Sequence, residues 1–227
     1  SVMAFNNAGM SLYDDNFIGF VGDPVVCLAV GLAVIIGGLG FPVLLELKRE
    51  RRAARWSLHT KITLAASAVL VTVGPVLVTA FEWTNRETRG RLEVGEKLVA
   101  GWFQGVSPRT AGFNSVDVGA LRPSTLLVVV VLMFIGAGAA STGGGIKVTT
   151  FAVVGVAVWS EVRHGTSPTI CRRRIPDAAI RQALAVIALA IGSVVSATLG
   201  LLVLSDVEFF DAIFETFSPF GTVGLTL

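Results

Sequence analysis

Apolar residues along the chain fall into five runs that polar segments separate. The runs cover residues 24–47, 62–81, 124–135, 148–159 and 182–204. A helix needs about 20 predominantly apolar residues to cross the hydrocarbon core of a bilayer. The first, second and last runs reach that length, and each predicts one crossing helix.

The two shorter runs flank a glycine-rich segment, residues 136–147, which contains five glycines. Each of these runs is too short to cross a bilayer alone. Joined, they predict one crossing whose middle is not helical. Irregular backbone at membrane depth is tolerated only where it is buried in protein or lines a water-filled cavity. A phosphate-binding loop does not fit, because Ile-Lys-Val follows the last glycine where such a loop has Lys-Ser/Thr. The segment is therefore predicted to face a transport pathway.

A second pattern occurs three times: a small or polar residue, then Ala or Val, then Gly, then a large apolar residue. The copies lie within residues 4–10, 107–114 and 218–225, and their glycines recur at nearly equal spacing. Each later copy follows a short amphipathic stretch, 94–104 or 207–217, that cannot span a bilayer. This regularity predicts a repeated unit of span, short helix, extended loop and span.

The chemistry of such loops favours an ion pathway. Rings of backbone carbonyl oxygens can replace the water that an ion sheds in a narrow pore. Glycine adopts backbone angles closed to other residues and keeps side chains out of the narrowest point. Any one copy alone fits an extracellular loop, but three copies in register favour a carbonyl-lined filter.

Composition agrees with a membrane protein. Apolar residues make up 53% of the chain and charged residues 15%, and the mean hydropathy is +0.74. A soluble domain carries about 25% charge, so an ordinary soluble enzyme, a disordered tail and a disulfide scaffold are excluded. Cys27 and Cys171 are predicted to be free thiols. The sequence contains no nucleophile–base set, metal-ligand cluster or cofactor fingerprint, so neither catalysis nor a cofactor is predicted.

The basic residues indicate the orientation. Most lie in two blocks, one at 48–61 and one at 163–181, whereas residues 83–96 mix arginine with glutamate. Short loops rich in Lys and Arg stay on the cytoplasmic side. Loops 48–61 and 163–177 are therefore predicted to be cytoplasmic, and loop 83–96 is predicted to be outside. Since topology explains both basic blocks, nucleic acid is not predicted as a partner.

Polar residues beside the extended loops are expected to brace them. Arg109 and Asn114 flank a loop glycine, and a fixed cation in the pathway would repel a cationic substrate. Bracing is also expected of Glu215. Lys147 either anchors the glycine-rich segment or pairs with a carboxylate. The run Gly37-Gly38-Leu39-Gly40 is predicted to allow close packing of helices.

These motifs together resemble the Trk/Ktr/HKT superfamily of cation transporters, and most closely its Ktr-type bacterial potassium-translocating subunit. Phe5-Asn6-Asn7-Ala8-Gly9, Arg109-Thr110-Ala111-Gly112-Phe113-Asn114 and Gly221-Thr222-Val223-Gly224-Leu225 resemble the second, third and fourth filter segments, and Ser141-Thr142-Gly143-Gly144-Gly145-Ile146-Lys147 resembles the gating loop. The resemblance implies that potassium is held by backbone carbonyls of Asn7, Ala8, Gly9, Thr110, Ala111, Gly112, Thr222, Val223 and Gly224. It implies a gating loop that includes Gly136, Gly138, Ser141, Thr142, Gly143, Gly144, Gly145 and Lys147.

The resemblance also implies an all-α integral membrane fold of four units, each a span, a pore helix, a filter loop and a span. This sequence holds about two and a half: the end of the second unit at 1–61, the third at 62–177 and the start of the fourth at 178–227. The first unit, the first span of the second and the last inner helix are expected to lie outside it. Three filter segments cannot close a ring of four, so this stretch of chain alone is not expected to conduct selectively.

The function implied is potassium uptake across the plasma membrane, in a bacterium the inner membrane, with potassium as substrate. Sodium or mixed cation transport is an alternative, and a non-conducting membrane scaffold is an alternative of another class. The implied partners are a second copy of the protein, a cytosolic nucleotide-binding regulatory subunit and membrane lipid.

Overall fold

The computed structural model describes residues 2–11, 13, 16–85, 87–88, 90, 92–163, 169–170 and 173–227. Almost all regular structure among them is helical, as the all-α class predicts. The helices are α1 (Val2–Phe5), α2 (Pro24–Leu39), α3 (Phe41–Arg49), α4 (Leu58–Glu82), α5 (Val94–Val106), α6 (Pro123–Phe134), α7 (Val148–Val162), α8 (Asp177–Leu204) and α9 (Phe209–Phe220). Short 3-10 turns occupy Ile18–Phe20, Ala53–Arg55 and Ser107–Arg109. Strand β1 (Thr169–Ile170) pairs antiparallel with β2 (Arg173–Arg174).

Helices α4 and α8 are the two described helices that are long and apolar enough to cross a membrane unbroken. They contain 25 and 28 residues, or about 37 and 42 Å at 1.5 Å per residue, which exceeds a hydrocarbon core of about 30 Å. Their outward faces expose large aliphatic side chains such as Val76 on α4 and Leu189 and Val203 on α8. The crossings predicted from runs 62–81 and 182–204 are therefore present as continuous helices.

The run at 24–47 is divided instead of forming one straight crossing. Helix α2 ends at Leu39, and α3 leaves it at an angle of 93°. Gly40 makes the corner with a φ of +91°, which side-chain-bearing residues rarely adopt, and a β-carbon there would lie 2.4 Å from the carbonyl oxygen of Ala139. Pro42 fits the first turn of α3, where its missing N–H has no helical partner to lose. Gly40 thus makes a sharp bend, whereas Gly37 serves the predicted close packing, since a β-carbon there would lie 1.8 Å from the carbonyl oxygen of Phe5.

The third predicted crossing is divided between two short helices, with the break where the glycines predict it. Helix α6 ends at Phe134, and α7 begins at Val148. Backbone bonds close the neck of the intervening segment: Gly136 N–H donates to the carbonyl of Ile146 (2.9 Å), and Ile146 N–H donates to the carbonyl of Phe134 (3.2 Å). Residues 136–147, hereafter the glycine-rich loop, therefore form a compact excursion between two half-helices.

Helix α5 packs closely against α4. A β-carbon at Gly105 would lie 2.4 Å from the backbone of Pro75, so only glycine allows this approach. One buried cluster surrounds α5 and includes Val34 and Phe103, and another lies between α6 and α9 and includes Met133 and Phe214. Both short helices are thereby held between longer ones.

The predicted division into three units stays a prediction, although its boundaries at 61 and 177 fall in the first turns of α4 and α8. The β1–β2 hairpin lies inside the predicted cytoplasmic loop at 163–177. Cys171 of that loop lies outside the described residues, and so do Arg86, Arg89 and Arg91 of the predicted outer loop.

Candidate ion filter and glycine-rich loop

Each predicted filter segment begins directly after a helix. Residues 7–9 follow α1, residues 110–112 follow α5 and its 3-10 turn, and residues 222–224 follow α9. Helices α5 and α9 have 13 and 12 residues, about 20 Å or less, and are too short to cross a bilayer. The C-terminal end of a helix carries partial negative charge, which favours a cation beside it.

The three filter segments share one backbone pattern, in which the first and third residues have positive φ. The angles are 51° at Asn7 and 67° at Gly9, 149° at Thr110 and 69° at Gly112, and 54° at Thr222 and 85° at Gly224. Positive φ is uncommon for residues other than glycine and is a genuine outlier for a β-branched residue. Positive φ angles occur at matching positions of all three segments. None of the segments is therefore an ordinary β-strand, in which every residue is extended.

The segments also converge on one another. A β-carbon at Gly9 would lie 2.8 Å from the carbonyl oxygen of Ala111 and 3.1 Å from that of Val223. A β-carbon at Gly112 would lie only 1.7 Å from the Val223 oxygen, whereas Gly224 faces open space. Carbonyl oxygens from separate segments therefore crowd around Gly9 and Gly112, where no side chain fits.

Two serines that were not predicted as site residues, Ser107 and Ser218, brace the later segments. The carbonyl of Ser107 accepts from Ala111 N–H (3.0 Å), and its hydroxyl donates to the carbonyl of Phe113. The carbonyl of Ser218 accepts from Val223 N–H (2.8 Å), and its hydroxyl accepts from Gly224 N–H (3.1 Å). A Ser-Pro dipeptide shortly before each glycine was the available signal.

The bracing role expected of Arg109 is wrong. Arg109 is buried, and its Nε has no hydrogen-bond partner within the described residues. Its side chain lines a cavity of about 10 Å³ together with Val34, Gly38 and Ala137. The side chain of Asn114 donates to the carbonyl of Val116 (3.3 Å), and the carbonyl of Asn114 accepts from Phe17 N–H (3.0 Å). Glu215 accepts from the N–H of Leu227 (3.0 Å), just beyond the fourth segment.

The glycine-rich loop touches every filter segment present, and it does so through three consecutive residues. Asn7 Nδ2 donates to Thr142 Oγ1 (2.9 Å), and Gly144 N–H donates to Thr222 Oγ1 (2.9 Å). Between them, Gly143 lies so close to Thr110 that a β-carbon would come within 2.6 Å of Thr110 Oγ1. The loop therefore lies against the first residue of each segment.

The loop is also fastened to the corner between α2 and α3. Gly138 N–H donates to the carbonyl of Gly38 (2.8 Å), and Phe41 N–H donates to the carbonyl of Ala140 (3.1 Å). Ser141 Oγ donates back to the carbonyl of Gly138 (2.6 Å). Lys147 Nζ donates to the carbonyl of Gly143 (2.6 Å), so of the two roles left open for this lysine the structure shows the anchor.

The family model of TrkH, described as a cation transport protein, matches residues 1–227. The chain belongs to the TrkH family. This confirms the resemblance inferred from the motifs and assigns the chain to a family of transporters, not enzymes.

Relatives of this TrkH-family chain include two potassium uptake proteins. It is 44% identical over 227 residues to Ktr system potassium uptake protein B of Bacillus subtilis (strain 168) and 43% identical over 229 residues to the protein of the same name from Vibrio alginolyticus. Both alignments cover 100% of this chain and 51% and 50% of the relatives. The chain thus spans about half the length of the curated relatives it matches.

A solved structure of the same family shows the fold. The potassium transporter TrkH from Vibrio parahaemolyticus matches with a TM-score of 0.80 over 99% of this chain and 50% of that one, at 16% sequence identity. The all-helical membrane fold predicted for this chain is therefore the TrkH fold.

The TrkH-family chain also has a buried carboxylate, Glu82, that was not among the site residues predicted from the sequence. Glu82 is fully buried at the end of α4 and accepts from Arg122 N–H (2.9 Å) and from the hydroxyls of Thr88 (2.7 Å) and Thr125. Asn85 Nδ2 is a fourth donor (2.7 Å). Glu82 therefore ties the end of α4 to the beginning of α6, which leads into the glycine-rich loop. Arg122 and Thr125 lie far from Glu82 in sequence, so no local signal pointed to them.

Proposed function

We propose that the full-length protein containing this chain takes up potassium across the plasma membrane through a filter of backbone carbonyls. Residues 7–9, 110–112 and 222–224 are the three filter segments that this chain contributes. The observation that carries the proposal is their shared geometry: matching positive φ angles, convergence at one place, and a helix end behind each one.

Potassium is the substrate that this chemistry favours. A dehydrated cation needs several oxygen ligands at once, and carbonyl rings supply them without a counter-charge. Glycine at the third position of every segment keeps the carbonyls free of side chains. The names of the two bacterial relatives, both potassium uptake proteins, support the same substrate.

The glycine-rich loop acts as the gate in this proposal. It lies against the first residues of all three segments, where an ion that leaves the filter would have to pass. Gly136, Gly138, Gly143, Gly144 and Gly145 give it little helical preference, so an alternative conformation is accessible at low cost.

The proposed assembly is a homodimer that a cytosolic nucleotide-binding subunit regulates. The relatives are named as components of a Ktr system. The exposed basic residues Arg51 and Arg52, together with Arg174 and Arg181, supply a positive surface on the predicted cytoplasmic side. That surface suits an acidic protein face and anionic lipid headgroups alike.

The test is expression of the full-length protein in a host that lacks its own potassium uptake. Growth at limiting potassium and potassium influx should both be restored, with influx of potassium exceeding that of sodium. Equal sodium influx would favour the mixed-cation alternative. A correctly inserted protein that moves neither ion would overturn the proposal and favour the scaffold.

A further inference from the structure

The contacts between the loop and the filter repeat in register. Thr142, Gly143 and Gly144 are consecutive, and they meet Asn7, Thr110 and Thr222, which are the first residues of three successive filter segments. We propose that Asn7 and Thr222 are latch residues, whose side chains hydrogen-bond the glycine-rich loop and hold it closed against the filter. This inference rests on the proposed function, because it assigns residues to the closing of that gate.

The composition of the loop fits this docking. A β-carbon at Gly143 would lie 2.6 Å from Thr110 Oγ1, and one at Gly144 would lie 2.5 Å from Thr222 Oγ1. The absence of side chains at both positions lets the Thr222 oxygen reach the Gly144 N–H. Gly143 and Gly144 are therefore required by contact with the filter, in addition to any need for flexibility.

The two latch bonds differ in strength. Asn7 is buried although its acceptor Thr142 is exposed, so their bond is partly shielded from water, and a shielded hydrogen bond is stronger than an exposed one. Thr222 is exposed, so water competes for its oxygen and for the Gly144 N–H. Thr142 also lies within 3.3 Å of the carbonyl of Phe5, which adds a weaker contact to the same segment. The Asn7–Thr142 bond should therefore contribute most of the free energy that favours the closed loop.

The tip of the loop meets the filter only through side chains and one N–H, whereas backbone bonds hold the rest of the loop. Those backbone bonds join the neck at Gly136 and Ile146, and they join Gly138 and Ala140 to the α2–α3 corner. The latch bonds are therefore the hydrogen bonds that hold the tip against the filter. A typical net hydrogen bond shifts a conformational equilibrium by about 2- to 10-fold. Loss of one latch bond should thus be enough to raise measurably the fraction of protein molecules in which the loop is open.

The experiment compares isosteric substitutions in the full-length protein. Thr142→Val removes the acceptor for Asn7, and Thr222→Val removes the acceptor for Gly144, each at constant side-chain shape. We expect potassium influx to rise roughly 2- to 10-fold for Thr142→Val, less for Thr222→Val, and by about the product of the two for the double variant. Thr142→Ser keeps the hydroxyl, so its potassium influx should be closer to that of wild type than the influx of Thr142→Val. The matched control is Thr72→Val on α4, where the lost hydroxyl bonds only its own helix.

A second measurement reports the loop itself. Ser141→Cys, in a background without Cys27 and Cys171, should react with a membrane-permeant thiol reagent faster when Thr142→Val is also present. Membrane levels and a single peak in detergent chromatography confirm that each variant is folded. Unchanged or reduced influx together with unchanged labelling in Thr142→Val would overturn the latch. If the wild-type protein carried no potassium, the proposed function would fail, and labelling alone would decide whether the latch exists.

Discussion

The carbonyl oxygen of Val223 occupies the space in which a side chain at Gly112 would have to stand. A β-carbon on Gly112 would lie 1.7 Å from that oxygen, although the two positions are far apart in sequence. The third and fourth filter segments are therefore fitted to each other, and glycine is the only residue that permits the fit.

Gly112→Ser should weaken the preference for potassium over sodium without preventing membrane insertion. The substitution adds a collision with the carbonyl oxygen of Val223 and a backbone penalty of roughly 1–2 kcal/mol at a φ of +69°, and both displace the carbonyl oxygens that are fitted to potassium. Gly224→Ser should have a smaller effect, because its surroundings are open and only the φ of +85° opposes it. Ion flux in a host deficient in potassium uptake measures both.

The control for these variants is Gly155→Ala on α7, which has no atom within 4 Å of the new methyl group. This variant should insert into the membrane as well as wild type and should keep the wild-type preference for potassium over sodium. Wild-type selectivity in both Gly112→Ser and Gly224→Ser would show that these glycines do not line a filter.

Removal of residues 139–144 from the glycine-rich loop should raise potassium influx through the full-length protein. The deletion eliminates all contacts with Asn7, Thr110 and Thr222, while Gly136 and Ile146 remain to close the neck. Influx measured at equal membrane levels tests this. A well-folded deletion with unchanged or lower influx would make the loop a structural break without a gating role.

Ser218→Ala should raise the potassium concentration at half-maximal influx by about 2- to 10-fold, because Gly224 N–H loses its hydroxyl acceptor and the fourth segment is held less firmly. Ser193→Ala on α8 is a suitable control, since that hydroxyl donates only to the carbonyl of Leu189 in its own helix. Equal concentration dependence in the two variants would contradict a bracing role for Ser218.

Glu82→Gln should lower the thermal stability of the purified full-length protein. The carboxylate accepts four hydrogen bonds, and an amide presents two donors of its own to this cluster, at a cost of about 1–3 kcal/mol. Glu87→Gln removes an exposed carboxylate nearby in the chain and should be neutral. A melting temperature that Glu82→Gln leaves unchanged would show that the tie between α4 and α6 contributes little.

The predicted topology can be tested by labelling from outside the cell. In a background without Cys27 and Cys171, a membrane-impermeant thiol reagent should reach Glu87→Cys and should not reach Arg52→Cys. Asn85 is a poorer reporter because it is buried against Glu82. Labelling of Arg52→Cys alone would invert the orientation inferred from the basic loops.

Much of the fold was predictable because its signals are local or periodic. The length of the apolar runs predicted α4 and α8, and the glycines at 136–145 predicted the break between α6 and α7. The spacing of Gly9, Gly112 and Gly224 predicted three equivalent segments, and all three have the same unusual backbone. None of these predictions required knowledge of contacts with distant residues.

The remaining features depend on contacts between distant parts of the chain. The corner at Gly40 depends on the carbonyl of Ala139, and the tie at Glu82 depends on Arg122 and Thr125. The register of the loop against the filter depends on Thr142 meeting Asn7, which lies 135 residues earlier in the chain. Propensity and periodicity carry no information on such pairs, so one sequence alone could not reveal them.

Two backbone hydrogen bonds join the α2–α3 corner to the glycine-rich loop, and they affect the order in which the protein folds during membrane insertion. Gly38 has one of the carbonyls that the end of a helix leaves unpaired, and Phe41 has one of the N–H groups that the beginning of a helix leaves unpaired. The loop provides the partner for each, Gly138 N–H and the Ala140 carbonyl, much later in the chain. An unsatisfied backbone group in hydrocarbon costs several kcal/mol. The corner therefore lacks both partners until residues 138–140 have been synthesised, so its final conformation forms only after the glycine-rich loop is present.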